Sequence, residues 1–268
     1  GLASPRCLCA SDVDQGEKLA ELAFARGITS VAILCPETVT GRVLSDAFHA
    51  RFLALGGSVP FYSRYRPDRS EFLSVVRPAG LVGADAVLVD GSVPDASQIV
   101  DAYLALYPND GSSFLFPDEL ESDAFVTAVG PSRFDFAHVG IGPSRASSAY
   151  TAFEAAYAAR YDEAPSIGGY GASAYDAVYL AALALESLGA RPDVPSLRAA
   201  LDSVARGGTR FGPTELDAAF AAVRAGQDVD YVGASGEVDL PPPGPYEVAS
   251  YETWEVQNGV VVVTGTVP

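Results

Sequence analysis

Val31-Ala32-Ile33-Leu34 is a short, unbroken run of apolar residues between two stretches with helical periodicity. A strand that is covered on both faces of its sheet needs apolar side chains on both sides, so a continuous run indicates such a strand. Residues 86–89 (Ala-Val-Leu-Val) and 114–116 (Phe-Leu-Phe) have the same character. We therefore predict three strands in the interior of one sheet.

Helical patterns alternate with these runs and are joined to them by short links. An apolar stripe precedes Gly27, another runs through 41–55 and stops at Gly56-Gly57, and a third covers 96–106. Strands that alternate with helices over links of about 2–6 residues are typical of a parallel sheet with helices on both faces. The fold class predicted is therefore α/β, with a Rossmann-like parallel sheet flanked by helices.

The pattern changes after Pro143. Three helical stretches, 147–161, 173–188 and 196–204, follow one another without a strand between them. The middle one is apolar nearly all round, so it needs cover on several sides, and no strand within this part of the chain offers a sheet for it. Near the end, Asn258-Gly259 between two β-branched stretches predicts a hairpin.

The loops after the three buried strands are the places where a ligand would bind. In open parallel sheets, ligands lie outside the carboxyl ends of the strands. Those ends carry residues 36–40, 90–94 and 117–121. For most individual residues in these loops, the alternative of a plain solvated turn stays open.

Charge and composition exclude several classes of protein. The 268-residue chain has 34 acidic and 17 basic residues and a formal net charge of −17, so it offers no basic surface for nucleic acid. No apolar run reaches the ~18 residues of a membrane span. The sequence contains no methionine, so we expect Gly1 not to be a translation start and a signal segment, if any, to have preceded it.

The cysteines and histidines do not suggest catalysis or metal binding. Cys7 and Cys9 lie two apart in a stretch with strand character, where they would point to opposite faces, so we expect no bond between them. We expect buried thiols, and the alternative is a bond from either residue to Cys35 if the strand around Cys35 lies alongside. His49 and His138 fall in helix and strand patterns and do not supply a zinc ligand set. Neither a nucleophile motif nor a dinucleotide fingerprint is present. We predict no enzyme, no catalytic residues, no metal and no cofactor.

Several segments in order along the chain resemble the type I periplasmic solute-binding family, specifically the branched-chain amino acid receptors of ABC transporters. The resemblance begins with Arg6 and residues 11–16 (Ser-Asp-Val-Asp-Gln-Gly) and continues through Gly41 and 55–57. Residues 175–179 (Tyr-Asp-Ala-Val-Tyr) are similar to a helix of that family. Residues 228–236 (Asp-Val-Asp-Tyr-Val-Gly-Ala-Ser-Gly) are its most specific segment.

The resemblance covers only the later part of that family and implies a fold of two Rossmann-like lobes, of which the first is incomplete here. On this template, residues 1–142 and 209–268 form the second lobe, and residues 143–208 are a helical return into the first. The resemblance further implies hinge positions at Gly142, Gly233, Ser235 and Gly236.

The resemblance also implies the residues of a ligand site. They are Thr40, where the family commonly has an aromatic residue, Gly91 and Ser92 in the next loop, and Asp118 with Glu119 beside it. Asp118 is expected to bind an ammonium group, with a plain surface acid as the alternative. Because the family's carboxylate donors belong mainly to the first lobe, we expect free amino acids to bind in the millimolar range or worse.

The function that the resemblance implies is that of an extracytoplasmic receptor of an ABC importer for a small amino-acid-like or amide-like ligand. Its partner would be a membrane permease, and its location the periplasm or the cell exterior, with any lipid anchor in a segment before Gly1. Two alternatives stay open at this point: a ligand-sensing regulatory domain of the same fold, and a degenerate interaction module that binds no ligand.

Overall fold

The structure is a computed structural model that describes residues 8–67, 71–108, 110–165, 170–189, 192–240 and 251–267. The helices are α1 (Asp12–Ala25), α2 (Val39–Ala54), α3 (Leu73–Leu81), α4 (Val93–Leu106), α5 (Asp123–Val129), α6 (Ser148–Tyr161), α7 (Gly171–Leu188), α8 (Val194–Val204) and α9 (Leu216–Arg224). The strands are β1 (Ser30–Pro36), β2 (Ser58–Tyr65), β3 (Ala86–Val89), β4 (Ser113–Phe116), β5 (His138–Pro143), β6 (Thr209–Phe211), β7 (Val229–Gly233), β8 (Gly236–Glu237), β9 (Tyr251–Gln257) and β10 (Val260–Val267).

The chain divides into two compact units. The larger unit comprises Ser11–Pro143 and Ser250–Pro268, and the smaller unit comprises Gly1–Ala10 and Ser144–Ala249. The larger unit holds a seven-stranded sheet in the order β10-β9-β5-β4-β3-β1-β2, and the smaller unit holds a three-stranded sheet in the order β6-β7-β8.

The three apolar runs are parallel neighbours, as the sequence predicts. Val31 of β1 pairs with Ala86 of β3, and Val87 of β3 pairs with Phe114 of β4, all in parallel register. Strands β3 and β4 are buried almost throughout, and β1 is buried from Val31 onward. The prediction of a parallel sheet with an α/β architecture is confirmed.

Helices cover both faces of this sheet because the strand side chains alternate. Ala32 and Leu34 of β1 belong to a core built with α3, α4 and α5. Val31 and Ile33 point to the opposite face, where α1 and α2 pack against each other. Apolar side chains on both faces of one strand therefore require helices on both sides.

The predicted hairpin closes the sheet at one edge. Asn258 (φ 54°) and Gly259 (φ 79°) form the turn between β9 and β10, and β9 pairs antiparallel with β5. His138 connects β5 to β9, because its Nε2 accepts the backbone N–H of Val256 at 2.8 Å. Burial lowers the pKa of His138, which fits a neutral ring with a structural role.

The smaller unit contains the three consecutive helices predicted after Pro143, as α6, α7 and α8. Its chain division differs from the expected one, because residues 209–240 fold here and not with the larger sheet. Strand β6 pairs in parallel with β7, β7 pairs antiparallel with β8, and β7 packs on α7. This small sheet supplies part of the cover that α7 needs. Val178 and Leu185 of α7 remain exposed.

A single buried carboxylate joins two of the segments that carry the family resemblance. Asp176 of α7 is fully buried and accepts the hydroxyl of Tyr231 at 2.8 Å and the backbone N–H of Ala234 at 2.8 Å. Its other oxygen accepts the backbone N–H of Ser235 at 2.7 Å and the Ser235 hydroxyl at 2.6 Å. A Cβ at Gly233 would lie 2.4 Å from this carboxylate, so only glycine leaves room for it.

The expectation of a free thiol at Cys9 is wrong. Cys9 is disulfide-bonded, whereas Cys35 is a free, buried thiol, and Cys7 lies outside the described residues. The prediction assumed a strand at this position, but residues 8–10 are not in a strand. The alternation of side chains on which the expectation rested is therefore absent there.

The Asp176 network makes a direct prediction for stability. Replacement by asparagine places an amide where four donors converge, so Asp176→Asn should lower the free energy of unfolding of the smaller unit by about 2–4 kcal/mol. Hydrogen exchange should accelerate at the Ala234 and Ser235 amides. The matched control is Asp217→Asn on the exposed face of α9, which should change stability by less than about 0.5 kcal/mol. Unchanged protection in Asp176→Asn would contradict the assigned role.

Candidate functional site

A cavity of about 310 Å³ lies in the larger unit, at the carboxyl ends of β1, β3 and β4. Its lining residues come from the start of α1 and from the three loops that follow these strands. They are Asp12, Pro36, Thr38, Gly41, Leu44, Pro67, Asp90, Gly91, Ser92, Asp95, Pro117, Asp118 and Glu119.

The strand order explains why a cavity forms here. From β1 the chain winds through α2 to β2 on one side, and then through α3 to β3 on the other side. At this reversal the connections leave the sheet on opposite faces, so a crevice opens above the β1 and β3 ends. The residues after β1 and β3 supply two of the walls.

Four of the five residues expected at the ligand site line this cavity: Gly91, Ser92, Asp118 and Glu119. Thr40 lies in the first turn of α2, and its side chain is outside the described part of the structure. Thr38 and Gly41, on either side of it, are lining residues. The loops singled out from the sequence thus come together, while their role in binding stays a prediction.

The loop after β3 is held in one conformation by a hydrogen bond that Tyr65 donates to its backbone. The hydroxyl of Tyr65, a buried residue at the end of β2, donates to the carbonyl oxygen of Asp90 at 2.7 Å. Gly91 has a φ of 140°, and a Cβ there would lie 2.0 Å from the Tyr65 Oη. Glycine is therefore required at 91 for both conformation and space.

Three helices begin at the cavity. Asp12 is the first residue of α1, Thr38 caps α2 by accepting the Gly41 N–H at 3.1 Å, and Ser92 caps α4 by accepting the Asp95 N–H at 3.4 Å. Each helix N-terminus carries roughly half a positive charge, with N–H groups that have no partner within the helix. These N-termini can receive a carboxylate oxygen of a ligand.

The side-chain charge of the lining is nevertheless acidic. Five carboxylates line the cavity, and none of its described lining residues is lysine, arginine or histidine. Asp12 and Asp95 were not expected at the site from the sequence, whereas Asp90 was expected only as the first residue of the 90–94 loop and not as a ligand contact. Asp90 follows a buried strand directly, which was a usable signal, but only the fold brings the start of α1 beside it.

The electrostatic state of these acids reflects burial and mutual repulsion. Burial raises the pKa of Asp90 to about 7, and repulsion from Glu119, Asp12 and Asp118 adds to this effect, while a hydrogen bond from Ser45 opposes it. The pKa values of Asp12 and Glu119 are also raised, first by burial and then by the neighbouring acids. A cation in the cavity would relieve this repulsion.

The acids do not form a metal centre. Among the described residues, no group of three or more histidine, cysteine, aspartate or glutamate side chains is arranged to hold a metal ion. A search for helices long and apolar enough to cross a membrane also finds none in the described parts of the chain.

Residues 7–225 match the sequence model of the periplasmic binding proteins. The chain belongs to this family. The family and its structural neighbours are solute-binding receptors and not enzymes. A comparison with curated proteins gives no match.

Solved structures share the fold of this periplasmic binding protein. A leucine-binding protein from Thermotoga maritima is 19% identical, with a TM-score of 0.77 over 97% of this chain and 67% of that one. A branched-chain amino acid binding protein from Streptococcus pneumoniae in complex with isoleucine is 17% identical, with a TM-score of 0.72 over 96% and 65%. A solute-binding protein from R. palustris in complex with benzoate is 18% identical, with a TM-score of 0.69 over 96% and 64%. The chain thus spans about two thirds of the length of these structures.

One of the four expected hinge residues lies where the chain passes between the two units, and the other three lie within the smaller unit. Gly142 is one residue before the end of the larger unit's first segment, at Pro143. Gly233, Ser235 and Gly236 lie within the smaller unit, and the chain returns to the larger unit only at Ser250. The backbone N–H groups of Ala234 and Ser235 donate to the Asp176 carboxylate, and these hydrogen bonds explain the difference because they fix the Gly-Ala-Ser-Gly turn within its own unit.

The raised pKa of Asp90 predicts a pH-dependent stability. Between its ordinary value of 3.8 and about 7, the folded chain keeps a proton that the unfolded chain has lost, so stability falls as the pH rises through this window. The Asp90→Asn variant has no carboxyl group at this position, so the stability that the parent loses in this pH window is kept. Its amide oxygen can still accept the Ser45 hydrogen bond. At about pH 8 we expect the variant to be more stable than the parent by on the order of 2–4 kcal/mol, with a smaller difference near pH 4.

Chemical denaturation across this pH range measures the effect, and Asp217→Asn serves as the control because it makes the same change at an exposed site. If Asp90→Asn is less stable than the parent at about pH 8, the buried carboxyl is not repelled by its neighbours as described.

Proposed function

We propose that this chain is the extracytoplasmic solute-binding receptor of an ABC importer and binds a small, amino-acid-like ligand in the cavity above β1, β3 and β4. The observation that carries the proposal is the coincidence of three features in one place. The cavity lies at the strand-order reversal, its lining includes four of the residues that the family resemblance implies, and it combines acids with three helix N-termini.

The lining offers a partner for each end of an amino acid. An ammonium group needs a carboxylate, and Asp118 at the end of β4 is the residue we assign to it. A ligand carboxylate needs N–H or hydroxyl donors, which the starts of α2 and α4 supply with Thr38 and Ser92. The volume of about 310 Å³ lies at the lower end of the range for small-molecule pockets.

The larger unit corresponds in this proposal to the second lobe of the receptor, and the smaller unit to its first. Gly142, next to the crossing between the units, is the hinge position that we retain. The partner is a membrane permease, and the location is the periplasm or the cell exterior.

Amide chemical shifts recorded during amino acid titrations test this proposal. L-Leucine, L-norleucine and L-alanine should cause saturable shifts at Gly91, Ser92 and Asp118, with dissociation constants in the millimolar range. The described lining supplies only backbone and hydroxyl donors to a carboxylate, so tight binding is not expected. Asp118→Asn should weaken binding about tenfold, because it removes a charge-assisted hydrogen bond.

The matched control is again Asp217→Asn, which should bind like the parent. Shifts that do not saturate, or that saturate at residues away from the three loops, would show that the cavity is not an amino acid site.

A further inference from the structure

We propose that the ligand of this cavity carries a net positive charge, with a second cationic nitrogen besides its α-ammonium group, and that Asp90 binds this second nitrogen. The inference rests on the proposed function and narrows its ligand class to basic amino acids and related amines.

The balance of charge in the cavity favours such a ligand. Five acidic side chains line it, of which Asp90 is only partly ionised near pH 7 because its pKa is raised to about 7, while the three helix N-termini together supply roughly 1.5 positive charges. A neutral zwitterion brings one charge of each sign and leaves the excess of negative charge in place. A ligand with two cationic nitrogens and one carboxylate reduces that excess.

Asp90 supplies an observation that is independent of the charge count. Its side chain is 4% exposed, and its Oδ2 accepts the Ser45 hydroxyl at 3.0 Å. No described residue donates a hydrogen bond to Asp90 Oδ1, and Asp90 lines the cavity. Among the described residues, the enclosed side-chain polar atoms without a partner are Gln15 Oε1 and Trp254 Nε1, so Asp90 Oδ1 is open to the cavity and can accept a hydrogen bond from a ligand there.

A second acidic side chain, that of Asp12, lines the same cavity as Asp90. Asp12, at the start of α1, is half-buried, and no described residue donates a hydrogen bond to its carboxylate. Repulsion from Asp12 acts on both Asp90 and Glu119, so the three carboxyl groups share one region of the cavity. An organic cation fits this region better than a metal ion, since no set of described acids is arranged as a metal site.

A matched pair of amino acids tests the proposal. L-Lysine and L-norleucine have the same α-carbon groups and nearly the same chain, but only lysine has a terminal ammonium group. In calorimetry or amide titrations with the parent chain at equal ionic strength, lysine should bind at least about tenfold more tightly than norleucine. The diamine 1,5-diaminopentane should likewise bind more tightly than pentylamine.

Two variants assign the preference to the cavity. Asp90→Asn should reduce the preference for lysine over norleucine to less than about threefold. Glu119→Gln should reduce the preference partially and guards against a folding defect at Asp90, because Glu119 is exposed. The matched controls, Asp217→Asn and Glu154→Gln, make the same chemical changes at exposed helix positions and should keep the full preference.

The outcomes separate this inference from the proposed function. Norleucine binding as tightly as lysine would overturn the inference and leave the proposed function in place. A lysine preference that persists in Asp90→Asn would overturn the role of Asp90, and with it the inference. If none of the four probes binds, both are overturned. A preference that all controls keep and Asp90→Asn loses supports both.

Discussion

Strand β1 is the element on which the rest of the larger unit depends. It is hydrogen-bonded along both edges, to β2 and to β3, and its central residues, Val31 to Cys35, are fully buried under helices on both faces. A strand in this position forces the chain to leave in one direction and return in the other. The crevice above its carboxyl end is therefore a consequence of how the core is built, and no additional element is needed to create it.

Hydrogen bonds around the cavity stabilise its backbone, whereas repulsion between the acidic side chains that line the cavity opposes stability. Tyr65 fixes the Asp90 carbonyl, and Ser92 and Thr38 cap the helices around it, so the backbone is rigid. The acids in it repel one another and are partly deprived of water. Groups that oppose stability and cluster in a cavity are typical of functional sites, because a ligand supplies the interactions that folding leaves unmade.

The sequence predicts the parts of the structure that depend on local pattern. The apolar runs and short links identify the parallel sheet, and the strand ends identify the loops with Gly91, Ser92 and Asp118. Asp12 could not be assigned to the site in this way, because the distance from α1 to the end of β3 is set by packing. Ser11 stands at the N-cap of α1 and is of a residue type that commonly caps helices, but its side chain does not cap α1, and Cys9 is not in a strand. Local signals at the chain start were overridden in both cases.

The smaller unit gives a second example of what local sequence patterns do not predict, namely which distant segments of the chain are in contact. The resemblance to a known family includes both the segment around Asp176 and the more specific segment around Ser235, but it does not say that they touch. Their contact is a hydrogen-bond network between residues 59 positions apart, and it is this network that holds the turn within the smaller unit. Residues 209–240 therefore belong to the same unit as α7, whereas the family template predicts that they fold with the larger sheet.

The central claim is that the larger unit's cavity holds negative charge that only a cationic ligand neutralises. The most direct measurement is the carboxyl ¹³C chemical shift of Asp90 as a function of pH, with and without L-lysine. Our account predicts a midpoint at about 7 in the free protein, against an ordinary value of 3.8, and a lower midpoint when lysine is bound. A midpoint near the ordinary value in the free protein, or one that lysine does not change, would contradict it.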